Sequence, residues 1–306
     1  MIKAELFINR ARMKVSAFFI IASKSWIRNH FPTFSAFLGA IIRIMSNIDN
    51  EPIFLYHIQS LRFSDWGKEG ARLSSFALRL LALAAMFVDH AGLALFPAVG
   101  AFRCVGRISF PIYCFLLTQG FLHTRVVRAY GRRLLLLAIL SEIPFDLLIF
   151  GRVACGMEQN VLFSLLLGLM ALYAAEALRG RPVQAALVIL TLCMAAMAAR
   201  VSYGWLAIAL CLCVYYAGEN RLRMALSMAA TLLLYTLSLA LSGVTASWVL
   251  VSLCALCSLL PILLYNGRRG ARNPLFTFLF YAAYPLHLLA LVAIRAMRLV
   301  PPYFLR

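Results

Sequence analysis

Residues 79–90 read RLLALAAMFVDH, a cation, an acid and an imidazole set into an apolar run. Arg79 and His90 are eleven residues apart, about three turns of helix, so they share one face and stand about 16 Å apart along its axis. Asp89 points about 100° away from His90, toward a different neighbour. The apolar run around them, 73–96, reaches the ~20 residues that a bilayer-spanning helix needs.

The rest of the chain repeats that pattern. Further apolar runs lie near 104–122, 132–150, 160–178, 183–199, 203–217, 222–241, 245–265 and 274–298, with no internal repeat among them. Hydrophobic residues make up 63% of the 306 and charged residues 13%, whereas a soluble domain is about half apolar and a quarter charged. The sequence therefore predicts an all-α, polytopic membrane helix bundle of about nine (eight to ten) transmembrane helices. The net charge of +18 does not indicate nucleic acid, because the basic residues fall in short clusters between the runs. Cys211-x-Cys213 and Cys254-x-x-Cys257 lie inside apolar runs, where cysteine packs as a small hydrophobe; no metal is expected.

Residues 1–65 differ from the membrane region at 66–306. They hold short apolar runs; Val15–Ser23 is about as long as a signal-peptide core, but no A-x-A site follows. Residues 34–46 read as a basic amphipathic helix on the membrane, unless the segment is not part of the mature protein. In the membrane region, arginines crowd alternate loops: 125, 128, 132 and 133; 179 and 181; 221 and 223; 268, 269 and 272. The other loops hold only Arg103, Arg152 and Arg200. The positive-inside rule then places the crowded loops in the cytoplasm of a bacterium, the protein in its inner membrane and the C-terminus outside.

Arg79, Asp89, His90, Arg107, Glu142, Asp146 and His287 fall within expected spans. A charged residue at the bilayer centre costs about 2.5–3.5 kcal/mol on insertion scales, so these need partners and a polar cavity. By depth they gather in the middle and outer half, with Arg79 below. Glu142 and Asp146 are i and i+4 on one face, with Pro144 between them, and Arg107 at matching depth is expected to pair with one of them. His287 is a second candidate for acid/base work, and His123, at the cytoplasmic end of its helix, reads as a surface or structural residue.

The stretch 79–90 with Gly92, GRISFPIYCFLLTQGFLHTR (106–125), LSEIPFDL (140–147), QNVLFSLLLGL (159–169), Tyr203–Gly204, LLYNGRRG (263–270) and YPLHLL (284–289) together resemble the TraX family of integral membrane proteins. That family is associated with conjugative plasmids and N-acetylation of pilin, and it is similar to a wider group of transmembrane acyltransferases in which ten residues separate a basic residue from a following early-helix histidine. The resemblance implies an acetyltransferase that uses acetyl-CoA as co-substrate, with His90 as base and Arg79 binding the donor. Ser202 stands before Tyr203–Gly204 where the resemblance leads one to expect an acid.

From these residues the catalytic candidates are His90, Asp89, Glu142 and Asp146. Arg79 and Arg107 are candidates for holding the donor, and Tyr113, Asn160, Tyr203, Tyr284 and His287 for contacting substrate. Arg107, Tyr113, Asn160 and Tyr284 are all open as oxyanion donors. The expected partners are the lipid bilayer and a pilin-like or other surface acceptor, with no nucleic acid. Two other classes fit a membrane protein with buried ionisable residues: a proton-coupled transporter, and a non-catalytic pilus or conjugation assembly factor.

Overall fold

The structure, a computed structural model, describes residues 73–297 apart from 154, 271 and 272, together with Gly39. The chain divides into two units, Met1–Asp49 and Asn50–Arg306, and every element below belongs to the second. The expectations for residues 1–65, including the helix at 34–46, lie outside the described residues except at Gly39.

All nine segments expected from hydropathy are helical. Helix α1 (Ser75–Leu95) begins where Ser74 turns its hydroxyl back to accept from the Ala77 N–H, satisfying one of the first-turn donors that a helix leaves unpaired. It ends at Phe96, ahead of Pro97, which cannot continue a helix. Helices α2 (Gly100–Arg107) and α3 (Ser109–His123) form one span with a break at Ile108, and Pro111 removes the N–H that would bond the Arg107 carbonyl. Helix α4 (Val127–Phe150) contains Pro144 and closes on Gly151 at φ +66°, a left-handed conformation that glycine adopts without steric cost.

Helix α5 (Val161–Ala177) is capped by Asn160, whose side chain accepts from the Leu162 N–H at 3.0 Å. Helix α6 (Pro182–Ala198) opens on a proline, whose missing N–H costs nothing in the first turn. Helices α7 (Leu206–Ala217) and α8 (Arg221–Leu241) follow. Helix α9 (Ala246–Leu253), a 3-10 turn over Cys254–Ser258 and α10 (Leu259–Leu263) make one further span, and α11 (Pro274–Ala296) completes the bundle. Among the described residues extended pairing is limited to isolated bridges, Leu73 with Tyr265 and Gln159 with Val201.

Among the described residues five spans are long and apolar enough to cross a bilayer: α1, α2–α3, α8, α9–α10 and Phe278–Ala296 of α11. Helix α4 has the length, 24 residues, but carries Arg128, Arg132, Arg133, Glu142 and Asp146. Helices α5, α6 and α7 have the composition but only 17, 17 and 12 residues. The chain is a polytopic membrane helix bundle in which lengths and composition support five crossings, where hydropathy led to an expectation of about nine. Helix α5 shows why the two measures part. It is buried along nearly its whole length against α3, α4, α6 and α7, so protein rather than lipid surrounds it.

Loop contacts define two ends of the bundle. At one end, the Ser75 N–H donates to the Arg268 carbonyl at 2.9 Å, the Leu73 N–H to Leu264 at 3.0 Å, and Arg221 to the Leu263 carbonyl at 3.1 Å. Arg268, Arg269 and Arg221 are thus at this end, and Arg133 lines a cavity with Arg79, early in α1. At the other end Gln159 and Val201 bridge two loops beside Tyr203.

Candidate functional site

His90 and His287, 197 residues apart, meet where α1 crosses α11. His90 Nδ1 lies 2.8 Å from His287 Nε2, and His287 Nδ1 lies 2.8 Å from the Ala283 carbonyl. A carbonyl only accepts, so the hydrogen-bond network assigns a hydrogen to His287 Nδ1. In the neutral ring, His287 Nε2 is then an acceptor, and His90 Nδ1 must donate to it. The lone pair of a neutral His90 is left on Nε2. Both rings are buried, and Tyr284 stands beside them, its ring centre 6.3 Å from that of His90 and 5.6 Å from that of His287.

Below the pair lies a cavity of ≈ 360 Å³ between α1, α3, α4, α5 and α11. Arg79, Leu83 and Met86 line it from α1, and at the same helical spacing the next residue on that stripe is His90. Arg79 and Arg133 supply its charge, Leu116, Leu117 and Leu165 its apolar wall, and Tyr113 and Tyr284 its hydroxyls. His90 itself is not part of this lining and packs beside Tyr284, which is. The Tyr284 hydroxyl is buried and faces the Val161 backbone N–H. Of the sequence candidates, the structure thus gathers Arg79, Tyr113, Tyr284, His90 and His287 along one path.

The acids of α4 do something else. Glu142 accepts from the Asn160 backbone N–H at 3.2 Å and from the Asn160 side-chain amide, which also donates to the Ala138 carbonyl at 2.8 Å. Asp146 accepts from the Cys155 N–H at 2.7 Å. The expected pairing of Arg107 with these carboxylates is not found: Arg107 instead donates to the Tyr203 hydroxyl at 2.8 Å. Depth in the membrane sets a residue's height but not the side of the bundle it faces, and the loop before α5 reaches Glu142 first. Because Asn160 holds both the α5 N-terminus and Glu142, Asn160→Ala is expected to cost about 2 kcal/mol, seen as a lowered unfolding midpoint of the purified protein. An unchanged midpoint would remove Asn160 from this role.

Asp89 faces α2, as its position on α1 predicts, and pairs with Arg103 at 2.9 Å. Arg103 and Arg107 line a second cavity of ≈ 330 Å³ at the Tyr203 end, which shares no lining residue with the first. Its walls include Phe110, Tyr235 and Trp248, none of which the sequence marked, since lone aromatics in apolar helices carry no distinguishing signal. Ser202, standing where an acid was expected, donates to Glu158 Oε1 at 2.6 Å, so a carboxylate reaches this loop from another part of the chain. His123 caps its own helix, its Nδ1 donating to the Gln119 carbonyl at 2.8 Å.

The family described as TraX protein matches residues 74–295. The chain is 31% identical over 233 residues to a protein named probable fimbrial assembly protein FimC, serogroup H1, of Dichelobacter nodosus, covering 70% of this chain and 93% of that one. It is 33% identical over 99 residues to the uncharacterized protein RP591 of Rickettsia prowazekii, covering 31% of this chain and 35% of that one. No solved structure matches it.

Proposed function

Because the chain belongs to the TraX family, we propose that it is a pilus- or conjugation-related membrane acetyltransferase, which moves an acetyl group from acetyl-CoA to an acceptor amine or hydroxyl. A pilin-like N-terminus is the first acceptor to test. The observation that carries this reading is the hydrogen-bonded series Ala283 carbonyl, His287, His90, which leaves a proton-accepting nitrogen on His90 above a cavity with arginines at its far end. The arginine-rich end faces the cytoplasm in this reading, as the positive-inside rule requires.

The first cavity has the chemistry that a CoA thioester needs. Arg79 and Arg133 would meet its phosphates, the leucine-lined wall would pack its slender arm, and the Tyr113 and Tyr284 hydroxyls, both on the lining, would donate to the carbonyl oxygen. His90 Nε2 takes a proton from the acceptor as the acceptor's nitrogen or oxygen bonds to the acyl carbon. The carbon–sulfur bond then breaks, and His90 returns the proton to the departing sulfur. His90 is not part of the cavity lining, and Tyr284, which is, packs beside it, so in this reading the Tyr284 ring moves to let the acyl group reach the imidazole. Arg107, in the other cavity, and Asn160, committed to Glu142, are not placed to serve that carbonyl.

His287 acts through His90 and is a positioning residue. His287→Ala is expected to lower turnover about 10- to 100-fold with little change in KM for the donor. His287→Gln, whose amide oxygen can accept from His90 Nδ1, should recover part of that loss. Equal rates for the alanine and glutamine variants would contradict the relay. The printed name of the Dichelobacter nodosus relative favours a second reading, a non-catalytic assembly factor. Labelled acetyl-CoA supplied to membranes that hold the full chain separates the two: label transferred to pilin or another acceptor supports the enzyme, and pilus assembly without transfer supports the assembly factor.

A further inference from the structure

We propose that the second cavity, at the Tyr203 end, is an oxyanion-binding site centred on Arg107, whose ligand presents a phosphoryl or carboxylate group. This assignment stands apart from the acetyl-transfer reading, since it uses none of the residues of the first cavity. The two arginines there are not equivalent. Arg103 has a counter-ion, Asp89 at 2.9 Å. Among the described residues no carboxylate lies within ion-pair distance of Arg107. One of its N–H groups is taken by the Tyr203 hydroxyl at 2.8 Å, and its Nε is buried with no partner.

Asp89 is near enough to attract Arg107 but bonds Arg103 instead, so the charge of this half-buried guanidinium is only partly matched; that is unfavourable, and such residues in membrane proteins mark ligand sites. The surroundings offset part of that cost without using the N–H edge. The Arg107 guanidinium carbon lies 5.6 Å from the ring centres of both Tyr203 and Trp248, within cation–π range. The terminal N–H groups not bonded to Tyr203 remain as donors, and they suit the oxygens of a carboxylate or phosphoryl group.

The Tyr203 loop is built to hold that arrangement. Tyr203 sits at φ +62° and Arg200 at φ +51°, conformations that L side chains seldom adopt and that cluster where a site demands them. The Tyr203 ring stacks on Phe110, with centres 3.9 Å apart and planes 8° from parallel, which keeps the hydroxyl on Arg107. Glu158, exposed and hydrogen-bonded to Ser202, places a negative charge on the same cavity and so favours singly charged ligands over polyanions.

The full-length protein in neutral detergent is titrated with acetate, inorganic phosphate or dihexanoyl phosphatidylglycerol, and thermal unfolding is recorded. At ~100-fold excess over Kd, a rise in midpoint on the order of 5 °C is expected from at least one of them. Arg107→Gln should lose that rise, and Arg152→Gln, an exposed arginine, should keep it. A rise with the lipid alone assigns a lipid headgroup; a rise with acetate or phosphate assigns a soluble anion. No rise with any probe, an undiminished rise in Arg107→Gln, or a lost rise in Arg152→Gln would overturn the proposal. Should Arg107→Gln not fold, the same titration is read from Trp248 fluorescence, with Trp248→Phe identifying the signal. A Trp248 response supports the site, and its absence overturns it.

Discussion

Membranes carrying His90→Ala are expected to transfer acetyl groups about 10²- to 10⁴-fold more slowly than wild type, the usual worth of a positioned general base. The expectation follows from the tautomer that the structure imposes. His287 is held by the Ala283 carbonyl and orients its free nitrogen toward His90, so the basic lone pair of His90 has one place to be. Alanine removes that nitrogen and takes from His287 the ring that it orients. The loss should appear in turnover, because Arg79 and Arg133 still line the other end of the cavity. The protein level in the membrane must be shown to be equal for both chains. A mutant that transfers label at the wild-type rate would take His90 out of the chemistry.

The largest effect on stability is expected at Gly106. A Cβ there would lie 2.1 Å from Asp89 Oδ1 and 2.2 Å from Asp89 Cβ. Because the Asp89 Cβ is bonded directly to the α1 backbone, no change of rotamer makes room, and α1 and α2 must separate. Close approach of helices through small residues is how membrane bundles pack, so this contact has no substitute. Gly106→Ala is expected to cost about 3 kcal/mol or more through overpacking, and to pull apart the Asp89–Arg103 pair. Gly100→Ala, on the same helix with nothing within 4 Å, is the control and should change little. The unfolding midpoint in detergent measures both. A Gly106→Ala midpoint equal to that of Gly100→Ala would mean the two helices do not pack as described.

The helices were legible in the sequence because lipid leaves a spanning backbone no alternative to internal hydrogen bonds, so apolar runs of the right length become helices. Their boundaries were less so. Helix α4 starts at Val127 rather than near 132, because Arg128, Arg132 and Arg133 hide its first turns from a hydropathy reading. Arg103, read as a loop residue, lies on α2. The shared face of Arg79 and His90 was legible from helical period alone, and so was the separate direction of Asp89. The contact of His90 with His287, 197 positions further along, was not, since nothing in the chain between them encodes which helices meet. Arg107 shows the same limit from the other side. Its height matched Glu142 and Asp146, yet it faces Tyr203, while Asn160 caps α5 and occupies Glu142.

The account turns on a thioester entering between Arg79 and Arg133 and reaching the His90 imidazole past Tyr284. An experimental structure of the full chain with a non-hydrolysable thioether analogue of acetyl-CoA tests this most directly. The prediction is an analogue with its phosphates against Arg79 and Arg133, its acyl group beside Tyr113 and Tyr284, and the Tyr284 ring turned so that His90 Nε2 faces the acyl carbon. An analogue bound elsewhere, or a His90 ring still closed off from a filled cavity, would contradict it.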